Sequence, residues 1–145
     1  MFMGAYSHSI DAKGRIILPA DFRQELGLAF IITKGLDHCL FLYGQQAWEE
    51  LAVKLRALSL AKPEARALSR FFFAGARNLE CDKQGRFLVP ANLRVYAGLE
   101  RKGDVVLAGA DDRIEVWNKD LWHTYCSEVE PDVTAMAASL SDFSI

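Results

Sequence analysis

The sequence has no apolar run able to cross a bilayer: stretches such as 28–32 and 71–76 stop far short of the roughly 20 residues a spanning helix needs. No basic residue precedes Lys13, so no charged segment introduces an apolar one and no signal peptide is expected. Cysteine is scarce. Cys39, Cys81 and Cys126 are an odd number without the spacing of a disulfide framework, which fits a reducing cytoplasm. Cations are missing from the last part of the chain: all 17 Lys and Arg stand at or before Lys119, and only Asp120, Glu128, Glu130, Asp132 and Asp142 follow. The segment up to Lys119 holds 17 cations against 14 carboxylates, so the net charge of −2 conceals a mildly basic body with an acidic tail.

Catalytic signatures are lacking as well. There is no Gly-x-Ser-x-Gly, no P-loop, no G-x-G-x-x-G and no His-Glu-x-x-His. His8, His38 and His123 are scattered, none in a recognisable nucleophile setting. His123 and Cys126 stand three apart on a predicted helix and could form half a metal site, but two further matched ligands are wanting. The expectation is a non-enzymatic protein without metal, cofactor or small-molecule substrate, and without a membrane partner.

What is present is a repeat. The chain has 145 residues, 51% hydrophobic and 25% charged, which rules out a wholly disordered chain and favours one compact domain or two small units sharing a core. Residues 11–23, DAKGRIILPADFR, return as DKQGRFLVPANLR at 82–94, an offset of 71. Eight positions are identical between 11–28 and 82–99. Farther on, Gly35 to Tyr43 answers Gly109 to Trp117 at an offset of 74, three extra residues near Glu100 to Gly103 accounting for the change.

Each copy predicts the same local structure. A strand approaches Asp11, the Asp-x-x-Gly-Arg sequence turns the chain, and Arg15 to Leu18 has the content of a strand. Pro19 suits the first position of a helix over Ala20 to Leu26, with Gly27 as a left-handed C-terminal cap. Phe30 to Thr33 and Cys39 to Tyr43 read as strands around a Gly-Leu-Asp turn. Pro90, Gly98, Val105 to Leu107 and Ile114 to Trp117 fill the same places in the second copy. Trp48, Leu51, Leu55 and Leu58 form an apolar stripe on a helix over Gln45 to Leu60, and Pro63 opens another over Glu64 to Ala76. Leu121, Trp122, Tyr125 and Val129 predict a further helix that Pro131 breaks, and Val133, Met136, Ala137 and Leu140 a last one before a frayed end. These stripes pack inside the chain or meet a neighbouring subunit.

One unit of some 40 residues is too small for a stable core of its own. The expectation is therefore an α+β fold in which two repeats pair about an approximate two-fold axis into one barrel. The first repeat and its helix take 1–60, a connecting helix 61–76, the second repeat and its helix 77–130, and a C-terminal helix and tail 131–145.

The two turns, Asp11 to Arg15 and Asp82 to Arg86, are the candidate site. Asp11, Gly14, Asp82 and Gly85 are the turn formers; Lys13, Arg15, Lys83 and Arg86 are the groups the turns project. An Arg fork matches phosphate oxygens or a guanine edge, and Lys supplies a compact charge. Two turns related by a dyad offer a duplex matched cationic contacts. The other reading is an internal Asp–Arg ion pair that only pins the turn. Arg23 and Arg94 also recur, but on a short helix where a solvated face explains them equally well, and they are left out of the site.

MFMGAY at the start, IDAKGRIILPA at 10–20 and CDKQGRFLVP at 81–90, together with LFLY at 40–43, Trp48 and EVW at 115–117, resemble the MraZ family of bacterial proteins. The likeness covers nearly the whole chain and is weakest after Pro131. It implies two tandem AbrB-like swapped-hairpin domains in a transcriptional regulator that binds short direct repeats of double-stranded DNA upstream of the division and cell-wall gene cluster. It also implies assembly into homo-oligomeric rings and association with the nucleoid. The DNA-contacting positions of the family fall on Lys13 and Arg15 in the first turn and on Arg86 in the second, with Lys83 the nearby cation. Lys13 aligns with Gln84, and Lys83 with Ala12, so the two turns are not identical. A self-assembling module without DNA binding is the competing class.

Overall fold

In the computed structural model, which describes residues 1–99 and 102–145, the two copies become two runs of the same elements. The first comprises β1 (Ala5–Ile10), β2 (Arg15–Ile17), α1 (Ala20–Leu26), β3 (Ala29–Lys34), a 3-10 turn at Leu36–His38, β4 (Leu40–Tyr43), α2 (Gln45–Arg56) and α3 (Pro63–Ala74). The second comprises β5 (Arg77–Glu80), β6 (Arg86–Leu88), α4 (Ala91–Ala97), β7 (Gly103–Gly109), β8 (Ile114–Asn118), α5 (Lys119–Val129), a 3-10 turn at Glu130–Asp132 and α6 (Val133–Ser139). Glu100 and Arg101, within the inserted stretch, lie outside the described residues.

The strands form one antiparallel sheet in the order β5-β3-β4-β8-β7-β1-β2-β6. The ends of this order, β5 and β6, are adjacent, so the sheet is a nearly closed barrel. Exchanging each strand for its counterpart in the other repeat leaves the ring of neighbours unchanged. The fold is thus the α+β pseudo-two-fold barrel that the repeat predicts. Its longest ladder runs between copies, β1 pairing with β7 from Ala5↔Ala108 to Ile10↔Gly103, and β3 pairs across to β5 from Ala29↔Glu80 to Ile32↔Arg77. β2 meets β6 at one crossing of the dyad and β4 meets β8 at the other. Neither repeat builds its own sheet.

The barrel interior is filled from both copies. Ile16, Leu18, Phe30, Ile32, Leu42, Phe87, Leu93, Leu107 and Ile114 are fully buried, and Phe30 meets Phe87 edge-on at 5.7 Å between ring centroids. A second apolar layer lies outside the half formed by β3, β4, β7 and β8, where Phe41, Tyr43 and Trp117 pack with Leu55 of α2, Phe72 of α3 and Trp122 of α5. The other half is left open: β1, β2 and β6 keep their outward residues exposed. The turns that open β2 and β6 stand on that uncovered side.

Several local details differ from the sequence expectation. Pro19 and Pro90 precede their helices as extended cap residues, with ψ of 142° and 143°. Gly98 is a left-handed cap at φ 70°, ψ 31°, whereas Gly27 leaves its helix with an extended ψ of 176°. α2 ends at Arg56 and α3 at Ala74, short of Leu60 and Ala76. As expected at Pro131, α5 ends at Val129; the proline sits in the 3-10 turn Glu130–Asp132 that leads into α6, where a missing N–H leaves no helical bond unmade. The stripe on α6 buries nothing against the rest of the protomer.

Because the two repeats share one core, Phe30→Ala should lower stability by about 3–5 kcal/mol. It should do so in a single transition, with far-UV circular dichroism and tryptophan fluorescence coincident in denaturant. Two separated transitions would show that the repeats fold independently.

Candidate nucleic-acid interface

Both turns are built by one carboxylate. Asp11 Oδ1 accepts the backbone N–H groups of Lys13 and Arg15, each at 2.9 Å, and Oδ2 accepts Arg15 Nε at 2.8 Å. Asp82 repeats the pattern with the N–H groups of Gln84 and Arg86 at 2.9 Å and Arg86 Nε at 2.8 Å. The Gly14 and Gly85 amides close the turns on the carbonyls of Asp11 and Asp82, each at 3.0 Å. Both glycines have φ in the left-handed range, 85° and 77°, which a residue with a Cβ adopts only at a cost.

These bonds set the electrostatics. The Arg15 backbone N–H, with help from its guanidinium and the Lys13 amide, holds the Asp11 carboxyl below its usual range; Arg86 and Gln84 do the same for Asp82. The ion pairs engage only Nε. Among the described residues the η nitrogens of Arg15 and Arg86 have no hydrogen-bond acceptor, and the two side chains remain 29% and 28% exposed. The carboxylate therefore orients each fork without consuming it. Both sequence readings of the Asp–Arg spacing describe part of this geometry: the pair pins the turn, and the outer edge of the guanidinium stays available.

The structure gathers Lys13, Arg15, Asp11 and Gly14 in one turn and Lys83, Arg86, Asp82 and Gly85 in the other. Lys13 and Gln84 donate equivalent amides, so the second turn carries its lysine one residue earlier on the same backbone frame. Arg23 and Arg94 stand elsewhere than on a freely solvated face. The Arg94 guanidinium lies over Gly14 and that of Arg23 over Gly85, where an added Cβ would overlap them. Each turn thus receives a further cation from the opposite repeat. The sequence signal was their recurrence at the same offset of 71 as the turns; what it lacked was the crossing of the chains. His38 stacks on Tyr96 at 5.0 Å between ring centroids.

Two outcomes follow from this geometry. Gly14→Ala should destabilise by about 1–2 kcal/mol through its positive φ, and adding Arg94→Ala should not recover the loss in melting temperature, because the strain is in the backbone. The lowered carboxyls of Asp11 and Asp82 contribute stability above their usual value of 3.8 and lose it as pH falls through the lower folded values. Melting temperature followed down through that range should fall less steeply in an Asp11→Asn, Asp82→Asn variant, whose amide oxygens still accept the turn N–H groups.

Comparison with known proteins agrees with the duplicated architecture. A family profile described as "MraZ protein, putative antitoxin-like" matches residues 1–71 and again 72–143. Three relatives, each named a transcriptional regulator MraZ, align over 145 residues and the full length of both chains: one from Moorella thermoacetica at 51% identity, one from Desulfitobacterium hafniense at 54% and one from a Thermoanaerobacter species at 49%. With two tandem matches that span the chain and half of all residues shared end to end, this protein belongs to the MraZ family.

Proposed function

We propose that the chain is a transcriptional regulator that binds double-stranded DNA sequence-specifically through Lys13, Arg15, Lys83 and Arg86, acting as a homo-oligomeric ring. The observation that carries this reading is the matched pair of turns on the uncovered side of the barrel, each with an Arg fork oriented through Nε and open at its η edge. A planar fork held in one direction is suited to a guanine edge or to phosphate oxygens, because little side-chain freedom is left to lose on contact. Lys13 and Arg94 beside the first turn, and Lys83 and Arg23 beside the second, add positive charge of the kind that a duplex draws from solution. The printed names of the relatives support regulation of transcription as the outcome.

A single protomer holds few cations, and a net charge of −2 supplies no strong non-specific affinity. Repetition of the turns around a ring raises affinity through effective concentration. Leu58, exposed just after α2, Leu68 on α3, and Tyr125, Met136 and Leu140 of the C-terminal region are apolar surface for such contacts. The family resemblance supports a target of short direct repeats in the region upstream of its own gene, within the division and cell-wall cluster, and with it a location in the cytoplasm at the nucleoid. Among the described residues no helix is long and apolar enough to cross a membrane.

The test is a band-shift on that upstream duplex over a salt series, beside an Arg15→Ala, Arg86→Ala variant, with oligomer size followed by light scattering. Each lost guanidinium contact should cost about 1–3 kcal/mol, so the double variant should bind at least ~30-fold more weakly, with fold and size retained. Undiminished salt-sensitive binding by the variant would remove the arginines from the site. Assembly without any DNA binding by the unaltered protein would establish the self-assembling module instead.

A further inference from the structure

We infer that Ile17 and Leu88 form an apolar centre of the DNA contact, meeting thymine 5-methyl groups in the major groove between the two arginines; this rests on the DNA-binding reading above. The β2–β6 ladder pairs Arg15 with Leu88 and Ile17 with Arg86. Side chains alternate across a strand, and here Ile16, Leu18, Phe87 and Val89 all turn into the core. Arg15, Ile17, Arg86 and Leu88 therefore share the outer face as a two-by-two patch, with opposite corners about 7–8 Å apart. Ile17 and Leu88 are 48% and 54% exposed.

An apolar side chain at one such position would be unremarked surface. Two, at equivalent places in the repeat, across the dyad and each beside an arginine, form a patch of one design. Among the described residues no helix packs extensively on this half of the barrel, and the neighbouring outward positions on β1 are Ser7 and Ser9. A second copy is a poor occupant, since docking the patch on itself would set Arg15 and Arg86 against their own kind. Phosphate suits the arginines but gives nothing to Ile or Leu. The major-groove edge of a base pair offers both partners at once: acceptors on guanine for a guanidinium, and the C5 methyl of thymine for an aliphatic side chain. The major groove, about 12 Å wide, admits two antiparallel strands, and β2 and β6, tied to β1 at Ile10↔Ile16, are the two that carry the patch. The arginines and lysines then supply position and affinity, and Ile17 and Leu88 discriminate sequence.

The tightest-bound duplex from a randomised pool, the same duplex with deoxyuridine replacing every thymine, and a random-sequence duplex provide the test, measured by the unaltered protein and an Ile17→Ser, Leu88→Ser variant. Removing the methyls should weaken the unaltered protein by about fourfold per contacted methyl. The serine variant should be indifferent to that removal and lose preference for the selected duplex. Its salt slope and its oligomer size should be unchanged, because the phosphate-facing cations are untouched. Full preference in the serine variant, or no effect of deoxyuridine on the unaltered protein, overturns the assignment; the second comparison needs no variant to fold. Loss of the oligomer in the serine variant overturns it in favour of a subunit contact. An unaltered protein that binds selected and random duplexes alike overturns the DNA-regulator reading itself, a result distinct from the others.

Discussion

Each turn is completed by the opposite repeat. The Leu18 amide donates to the Gly85 carbonyl and the Val89 amide to the Gly14 carbonyl, both at 2.9 Å, extending the short β2–β6 ladder by one bond at either end. The carbonyls that these bonds engage belong to the residues whose positive φ makes the turns. Arg94 over Gly14 and Arg23 over Gly85 add a side-chain contact in the same sense. Neither turn can therefore reach its final form before both copies of the repeat have come together. A unit of this size lacks the core to fold alone, and the interleaved ladders supply one core from two halves. The longest-range of these pairings joins residues about 100 positions apart, such as Ala5 and Ala108, a contact that carries a high loop-closure cost.

That dependence explains how a carboxylate can sit inside a cationic site. Asp11 and Asp82 direct their oxygens at two backbone amides and one Nε, all within the turn. Exposed ion pairs of this kind add little to global stability, and their value here is directional. A guanidinium on a flexible stem loses rotamer freedom whenever it binds. One already tied by Nε has lost part of it on folding, so more of the contact energy at the η nitrogens is retained. The charge that the carboxylate cancels is restored around it: Lys13 and Arg94 serve the first turn, Lys83 and Arg23 the second.

Much of this was legible in local chemistry. The Asp-x-x-Gly-Arg sequence names its own turn, because an Asx carboxylate, a positive-φ glycine and an Arg four residues on define a hydrogen-bond pattern without help from the rest of the chain. The recurrence at an offset of 71 then gives the dyad. Long-range pairing was not legible: nothing in Ala5 to Ile10 says that its partner is β7. Nor was the face of the central ribbon, since RIIL and RFLV are apolar at both parities and give no alternation to read. The exposed positions of Ile17 and Leu88 emerge only once the core has claimed Ile16, Leu18, Phe87 and Val89. Arg23 and Arg94 eluded the sequence because their role depends on strands crossing between repeats. On α6 the opposite occurred: the periodicity is genuine, but the protomer offers that face nothing to pack against.

The dyad is closer in the backbone than in its charges, and this bears on the kind of DNA site that the proposed function calls for. The two turns share every hydrogen bond from Asp to Arg, yet lysine stands third in one and second in the other, with Gln84 in the place of Lys13. Successive residues of a tight turn project in different directions, so the halves present different donors to a duplex. A unit with equal halves reads an inverted repeat, each half-site mirroring the other. A unit with unequal halves has a polarity along the groove. Copies arranged around the proposed ring keep that polarity from one protomer to the next, and a run of like-oriented readers matches sites repeated head to tail. Under the proposed function, the one-residue displacement of a lysine suits a target of direct rather than palindromic repeats, without requiring any departure from the shared backbone frame.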